Sequence, residues 1–185
     1  MARAGLTTEA VVAAAAALAD REGLEAVTLA RLAADAGVRP PSLYAHVAGL
    51  DDVRRRLAMR GARELATALR GAATGRSGTD ALRAIAAAHR EHARRHPGTY
   101  LAAQRAPAKR DAEARAIANE AVDVLRAVLA GYGLEGDDAI HAARALRAAL
   151  HGFAMLEAGG GFAIKLSLDE SFARMVDVLD HGLRR

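Results

Sequence analysis

The sequence predicts an all-α fold, and three observations carry that prediction. Alanine supplies 49 of the 185 residues and leucine is the next commonest apolar type, while aromatic residues make up 3%. Ala and Leu are strong helix formers, and the β-branched and aromatic residues that build sheets are scarce. Apolar residues recur at helical spacing between capping residues, and Gly or Pro closes each run. The chain also contains no cysteine, which excludes disulfide scaffolds, thiolate zinc sites and thiol nucleophiles.

The first helix follows Thr7 and ends at Gly23. With Thr7 as N-cap, Leu6 and Val11 have the spacing of a hydrophobic staple, and Val11, Ala14, Ala15, Leu18 and Ala19 line one face. Gly23 is expected to take the left-handed position after the helix. A short second helix has Thr28 as N-cap, Val27 and Leu32 as staple, and Gly37 as stop. Residues 39–41 (Arg-Pro-Pro) open a third, residues 42–47 form it and Ala48-Gly49 closes it. The first turn of a helix tolerates Pro because its N–H groups have no intrahelical partner. A longer helix is expected over about 50–70, with Asp51 and Asp52 favoured in its first turn by the helix dipole.

Residues 71–78 (GAATGRSG) are small, polar and aperiodic, and the domain boundary is expected there, giving domains 1–70 and 71–185. In the second half, Thr79 or Asp80 caps a helix running to His96. A short helical turn covers 100–105 and a loop 106–109. Further helices are expected over 111–130, 136–158 and 168–182.

Two short helices joined by a tight turn at Gly37 make a helix-turn-helix. In that unit the second helix braces the third, and the third lies in the major groove of DNA. The residues expected to reach bases and phosphates are Arg39, Pro40, Pro41, Ser42, Tyr44, Ala45 and His46, with Thr28 and Arg31 on the bracing helix; Leu43 and Val47 point to the core. The net charge of +4, from 24 Arg and 2 Lys against 22 acids, adds little to that reading.

Residues 6–65 resemble the DNA-binding domain of the TetR family of transcriptional regulators. The resemblance rests on Leu6-Thr7, Leu18-Ala19, Gly23-Leu24, Thr28 with Leu32-Ala33, Ala36-Gly37-Val38, the run 42–47 (SLYAHV) and Asp51-Asp52-Val53. Two positions depart from the family pattern: Ala30 stands where an Arg is common, and Leu50 where a Lys usually contacts the DNA backbone. Leu150-His151-Gly152-Phe153 and residues 96–100 (HPGTY) resemble the C-terminal domain type named for a Trp-His-Gly motif, with Leu150 in place of the Trp.

The resemblance implies a homodimer on a near-palindromic double-stranded operator, with a C-terminal helical domain that dimerises and binds a small molecule. The last two helices are then expected to form the dimer interface, through Ile140, Leu146, Leu150, Phe172, Met175, Val176 and Leu179. The expected effector pocket is lined by His89, His92, Tyr100, Val124, Leu125, Val128, Phe153 and Met155, with Arg105 and His151 at its margins. Such a wall is mostly apolar with a few donors. It favours a neutral or anionic, partly apolar ligand.

Other classes receive less support. No Gly-rich phosphate loop follows a strand and no Ser stands in a nucleophile elbow, so no catalytic residue or cofactor is expected. His89, His92 and His96 share a helix face, but the first and last are too far apart for one ion, and no metal is expected. The longest apolar run, residues 10–19, is half a membrane span, and no leader pattern is evident, so a cytoplasmic protein is expected. The alternative is a helical DNA-binding or adaptor protein with no effector.

Overall fold

A computed structural model describes residues 6–184, and all regular structure among them is helical. The α-helices are α1 (Thr8–Glu22), α2 (Leu29–Ala36), α3 (Leu50–Ala73), α4 (Gly78–Arg95), α5 (Pro97–Ala103), α6 (Ala112–Ala130), α7 (Gly136–Ala158) and α8 (Leu168–Leu183). Two 3₁₀ segments, Leu24–Ala26 and Pro40–Ala45, flank α2.

Local chemistry explains most boundaries. The Thr7 hydroxyl accepts from the Ala10 amide at 3.1 Å and Thr28 from the Arg31 amide at 3.2 Å, satisfying orphan donors at the starts of α1 and α2. Ser167 does the same for α8 through the Glu170 amide at 3.2 Å. Asp52 reaches back to the Ala48 amide at 3.1 Å, holding the turn that enters α3. Pro97 occupies the first turn of α5, directly after α4 has ended. Three expectations shift. Gly23 has φ 89° and ψ 164°, a positive φ but an extended ψ, so it is not a left-handed cap. α3 continues to Ala73, past the expected stop near residue 70. Thr79 is not a cap: its hydroxyl donates to the Asp180 carboxylate at 2.8 Å.

The chain divides into two compact units, residues 1–63 with 95–118, and residues 64–94 with 119–185. This division by packing passes through α3 and assigns residues 95–118 to the first unit.

The first unit is built on Val11, Ala15, Leu18, Leu32, Leu43, Val47, Val53 and Leu57, all buried. α5 is seated against α1. A Cβ on Gly98 would lie 2.2 Å from the backbone of Ala19, and one on Gly61 would lie 2.3 Å from the Thr99 carbonyl oxygen. Those approaches are possible only without a side chain. The Asp20 carboxylate accepts from the Thr99 amide at 2.7 Å and its hydroxyl at 2.9 Å, and lies 3.3 Å from Nδ1 of His96.

The second unit buries Leu82, Ile85, Leu129, Leu146, Leu150, Phe153, Phe172 and Val176. Arg90 links three of its helices: Glu157 on α7 receives two of its N–H groups at 2.8 and 2.6 Å, and Asp169 on α8 a third at 2.8 Å. The guanidinium also lies over the rings of Phe153 and Phe172, 5.3 and 4.9 Å from their centroids. Buried Asp180 accepts from Thr79, from the Tyr132 hydroxyl at 2.5 Å and from Arg184 at 3.1 Å. Burial pushes that carboxyl upward, but these donors outweigh it and hold it below the usual carboxylate value. Burial and the same contact push the Tyr132 phenol up to about 12.

Candidate DNA-binding interface

The turn between α2 and the following segment is a Schellman closure. Gly37 is left-handed at φ 65° and ψ 32°; its amide donates to Ala34 O and the Val38 amide to Ala33 O, both at 3.0 Å. The expected third helix is instead the 3₁₀ segment Pro40–Ala45. Two consecutive prolines remove two donors, and a segment of six residues closes more readily with i to i+3 bonds. The Ser42 amide donates to Arg39 O and the His46 amide to Leu43 O, both at 2.9 Å.

Two anchors fix which face looks outward. Leu43 is fully buried and Val47 nearly so. Arg39, Pro40, Pro41, Ser42, Tyr44 and Ala45 are exposed and His46 is half-buried. Tyr44 is 61% exposed. From α1, the Thr8 hydroxyl donates to the His46 carbonyl at 2.8 Å and pins the end of the segment.

The cations near this face differ in availability. Arg31 is engaged: Glu22 accepts two of its N–H groups at 3.0 and 2.9 Å and Asp35 a third at 3.3 Å. Hydrogen bonding to Arg31 in turn holds the Glu22 carboxyl below its ordinary value. Arg56 is bound to Asp52 at 2.9 Å. Arg55 is bound to Asp111 at 2.5 and 2.8 Å and to Glu113 at 2.8 Å, and it holds the Asp111 carboxyl down to about 2. Arg39 and Arg54 are exposed, with no ion pair to a described residue.

The same unit contains a cleft of about 1040 Å³. Leu57, Met59, Ala62, Ala102 and Ala114 form its apolar part, and Glu25, Asp51, Arg54, Arg105 and Arg110 its charged rim.

Comparison with known proteins decides the family. Residues 11–48 match the family described as "Bacterial regulatory proteins, tetR family", and residues 82–179 match "Tetracyclin repressor-like, C-terminal domain". The chain belongs to the TetR family. Its family is one of DNA-binding transcriptional regulators, not of enzymes. The HTH-type transcriptional regulator Rv0681 of Mycobacterium tuberculosis is 38% identical, over 98% of this chain and 84% of that one. A Rhodococcus sp. RHA1 structure superposes with a TM-score of 0.83 at 22% identity, over 98% of this chain and 97% of that one. The TetR family protein ActR of Streptomyces coelicolor, solved in complex with (S)-DNPA, superposes with a TM-score of 0.67 at 18% identity, over 97% and 98%. No helix of the described residues is long and apolar enough to cross a membrane.

In this TetR-family chain the residues expected to form one effector pocket fall in both units. Tyr100 and Arg105 belong to the first unit; His89, His92, Val124, Leu125, Val128, His151, Phe153 and Met155 belong to the second. Tyr100 is fully buried. His89, His92, Val124, Leu125, Val128 and Phe153 are buried, while His151 and Met155 are half-buried. Of all these, Arg105 alone borders the cleft. Burial, with the charges of His151, His92 and Arg147 nearby, pushes His89 down to about 4. His96 faces Asp20 in the first unit, so the three histidines of one helix face serve different surroundings. Among the described residues no group of three His, Asp or Glu side chains is placed to hold a metal ion.

The expected dimer residues divide similarly. Leu146, Leu150, Phe172 and Val176 are buried in their own chain and cannot present an outward seam. Ile140 is exposed, and Met175 and Leu179 are half-buried. Val178, 72% exposed on α8, was not among them. The carboxylate lock on Arg31 was missed as well. Glu22 lies nine positions earlier in a different helix, and no local pattern links the two.

Proposed function

We infer that this regulator is a homodimeric repressor that binds a near-palindromic operator through its 3₁₀ segment and is released by a small molecule. The observation that carries the reading is the exposed Tyr44, flanked by Arg39 and Ser42, on a segment anchored by Leu43 and Val47. A rigid anchor with donors on its outer face suits base edges and phosphates. Arg39 and Arg54 supply the available charge, replacing the cations absent at Ala30 and Leu50. A dimer sets two such segments about 34–36 Å apart, one turn of DNA. The exposed apolar residues Ile140 on α7 and Val178 on α8, with half-buried Met175 and Leu179, suit that association. Release by a ligand is supported by the structural likeness to ActR, whose solved complex contains (S)-DNPA.

The test uses duplexes selected by the protein from a random pool. Binding is followed by anisotropy over a salt titration, with light scattering to give the mass. Enrichment of inverted repeats bound two chains at a time is expected. Selection of no sequence preference, or a complex containing one chain, overturns the reading.

A further inference from the structure

We propose that the cleft of the first unit is a binding site for an amphipathic organic anion, and that α5 transmits its occupation to the helix-turn-helix. The proposal rests on the reading that this regulator responds to a small molecule, and it names the site and the ligand class. At about 1040 Å³ the cleft is in the size range of small-ligand sites. Its apolar part, Leu57, Met59, Ala62, Ala102 and Ala114, suits a ring or a short chain.

The charge of the rim chooses the other end of the ligand. Arg55 and Asp111 are already joined and neutralise one another, and Glu113, a further partner of Arg55, also faces Arg63 at 3.9 Å. The remaining rim cations are Arg54, Arg105 and Arg110, and the remaining carboxylates are Glu25 and Asp51. All five are exposed, and among the described residues none of the three arginines forms an ion pair. Arg105 and Arg110 stand on the loop between α5 and α6, Arg54 on α3, Asp51 in the first turn of α3 and Glu25 on the 3₁₀ turn Leu24–Ala26. Three cations left unpaired against two carboxylates leave the rim positive. Arginine forks bind carboxylate or sulfonate oxygens in pairs.

The same cleft meets the helix that is seated on α1. Ala102 and Ala103, at the end of α5, line it. At its other end α5 is held to α1 by the Gly98–Ala19 approach and by the two hydrogen bonds from Thr99 to Asp20. A ligand wedged beside Ala103 therefore displaces a helix that cannot shift without α1, and α1 packs on α2 and pins His46. Interfaces packed this closely shift as bodies rather than deform.

The probes are anilinonaphthalene sulfonate and its uncharged parent N-phenylnaphthylamine, both followed by fluorescence on the full-length protein. The sulfonate is expected to bind roughly tenfold tighter or better, and that preference to vanish in the Arg105→Glu/Arg110→Glu double variant. Ala58→Phe, which narrows the cleft without touching a charge, is expected to weaken both probes. It keeps the test decisive if the double variant does not fold. Equal affinity for the two probes, a sulfonate preference that survives the double variant, or unchanged binding by Ala58→Phe overturns the site. Operator affinity is then measured with saturating sulfonate. A charge-selective probe that leaves operator affinity unchanged overturns the coupling through α5 and the ligand-release reading, while the binding site stands.

Discussion

Asp20 on α1 accepts both the amide and the hydroxyl of Thr99 on α5, at 2.7 and 2.9 Å, and Thr99 is buried. One carboxylate thus supplies the partner for an amide that the start of a helix leaves without one. Asp20→Ala strands that amide, and a loss of about 1–3 kcal/mol is expected in urea denaturation. Gly98→Ala is expected to cost at least as much, since its Cβ meets backbone rather than a flexible side chain. A stability equal to the parent in both variants would remove the α1–α5 seat from the account.

Leu43 and Tyr44 are neighbours with opposite roles. Leu43→Ala opens a cavity in the first unit's core, and a loss of about 2–5 kcal/mol is expected. Tyr44→Ala is expected to leave the denaturation midpoint within about 0.5 kcal/mol of the parent. It should nevertheless weaken binding to selected duplexes, read by anisotropy. If Tyr44→Ala destabilises the fold as Leu43→Ala does, its ring is structural.

Arg31 must give up two carboxylates before it can meet a phosphate, whereas Arg39 need give up none. Arg39→Ala should therefore lower DNA affinity and flatten its salt dependence by about one counterion, and Arg31→Ala by less. Equal salt slopes for the two variants would show that DNA draws Arg31 out of its lock.

His89 is neutral and buried, with its pKa pushed from 6.5 to about 4. Between those values the unfolded chain binds more protons than the folded one, so the contribution of this group to stability is present above 6.5 and is lost as pH falls. The size of that contribution is about 3 kcal/mol. His89→Leu should flatten the stability profile between pH 4 and 6.5, measured by denaturation at fixed ionic strength. A profile as steep as the parent's would place the dependence elsewhere.

Val178→Arg is expected to yield a monomer that keeps its helicity, because Val178 is exposed. Leu146→Arg is expected to unfold the second unit, because Leu146 is 1% exposed and a charge there has no partner. Light scattering with circular dichroism separates the two outcomes. A Val178→Arg variant that remains dimeric moves the interface off that face.

The sequence alone determined whatever depends on residues a few positions apart. Thr7, Thr28 and Gly37 act on amides and carbonyls within one turn, so their caps and the helix-turn-helix were legible without coordinates. The outward face of residues 39–46 was legible too, because Leu43 and Val47 are set by spacing. Whether that segment is α or 3₁₀ turned on two lost donors, a local effect that the motif reading overlooked. Tertiary structure alone decided the rest. Arg31 found Glu22 nine positions away, Asp20 found Thr99 seventy-nine away, and Arg55 found Asp111 fifty-six away. It also decided that residues 95–118 join the first unit, that Leu146 and Phe172 fill their own chain's core, and that the cleft is lined by residues of the first unit. An apolar stripe states that a helix buries one face. It carries no information on which neighbour covers that face, because hydrophobic burial is non-directional and any apolar surface satisfies it.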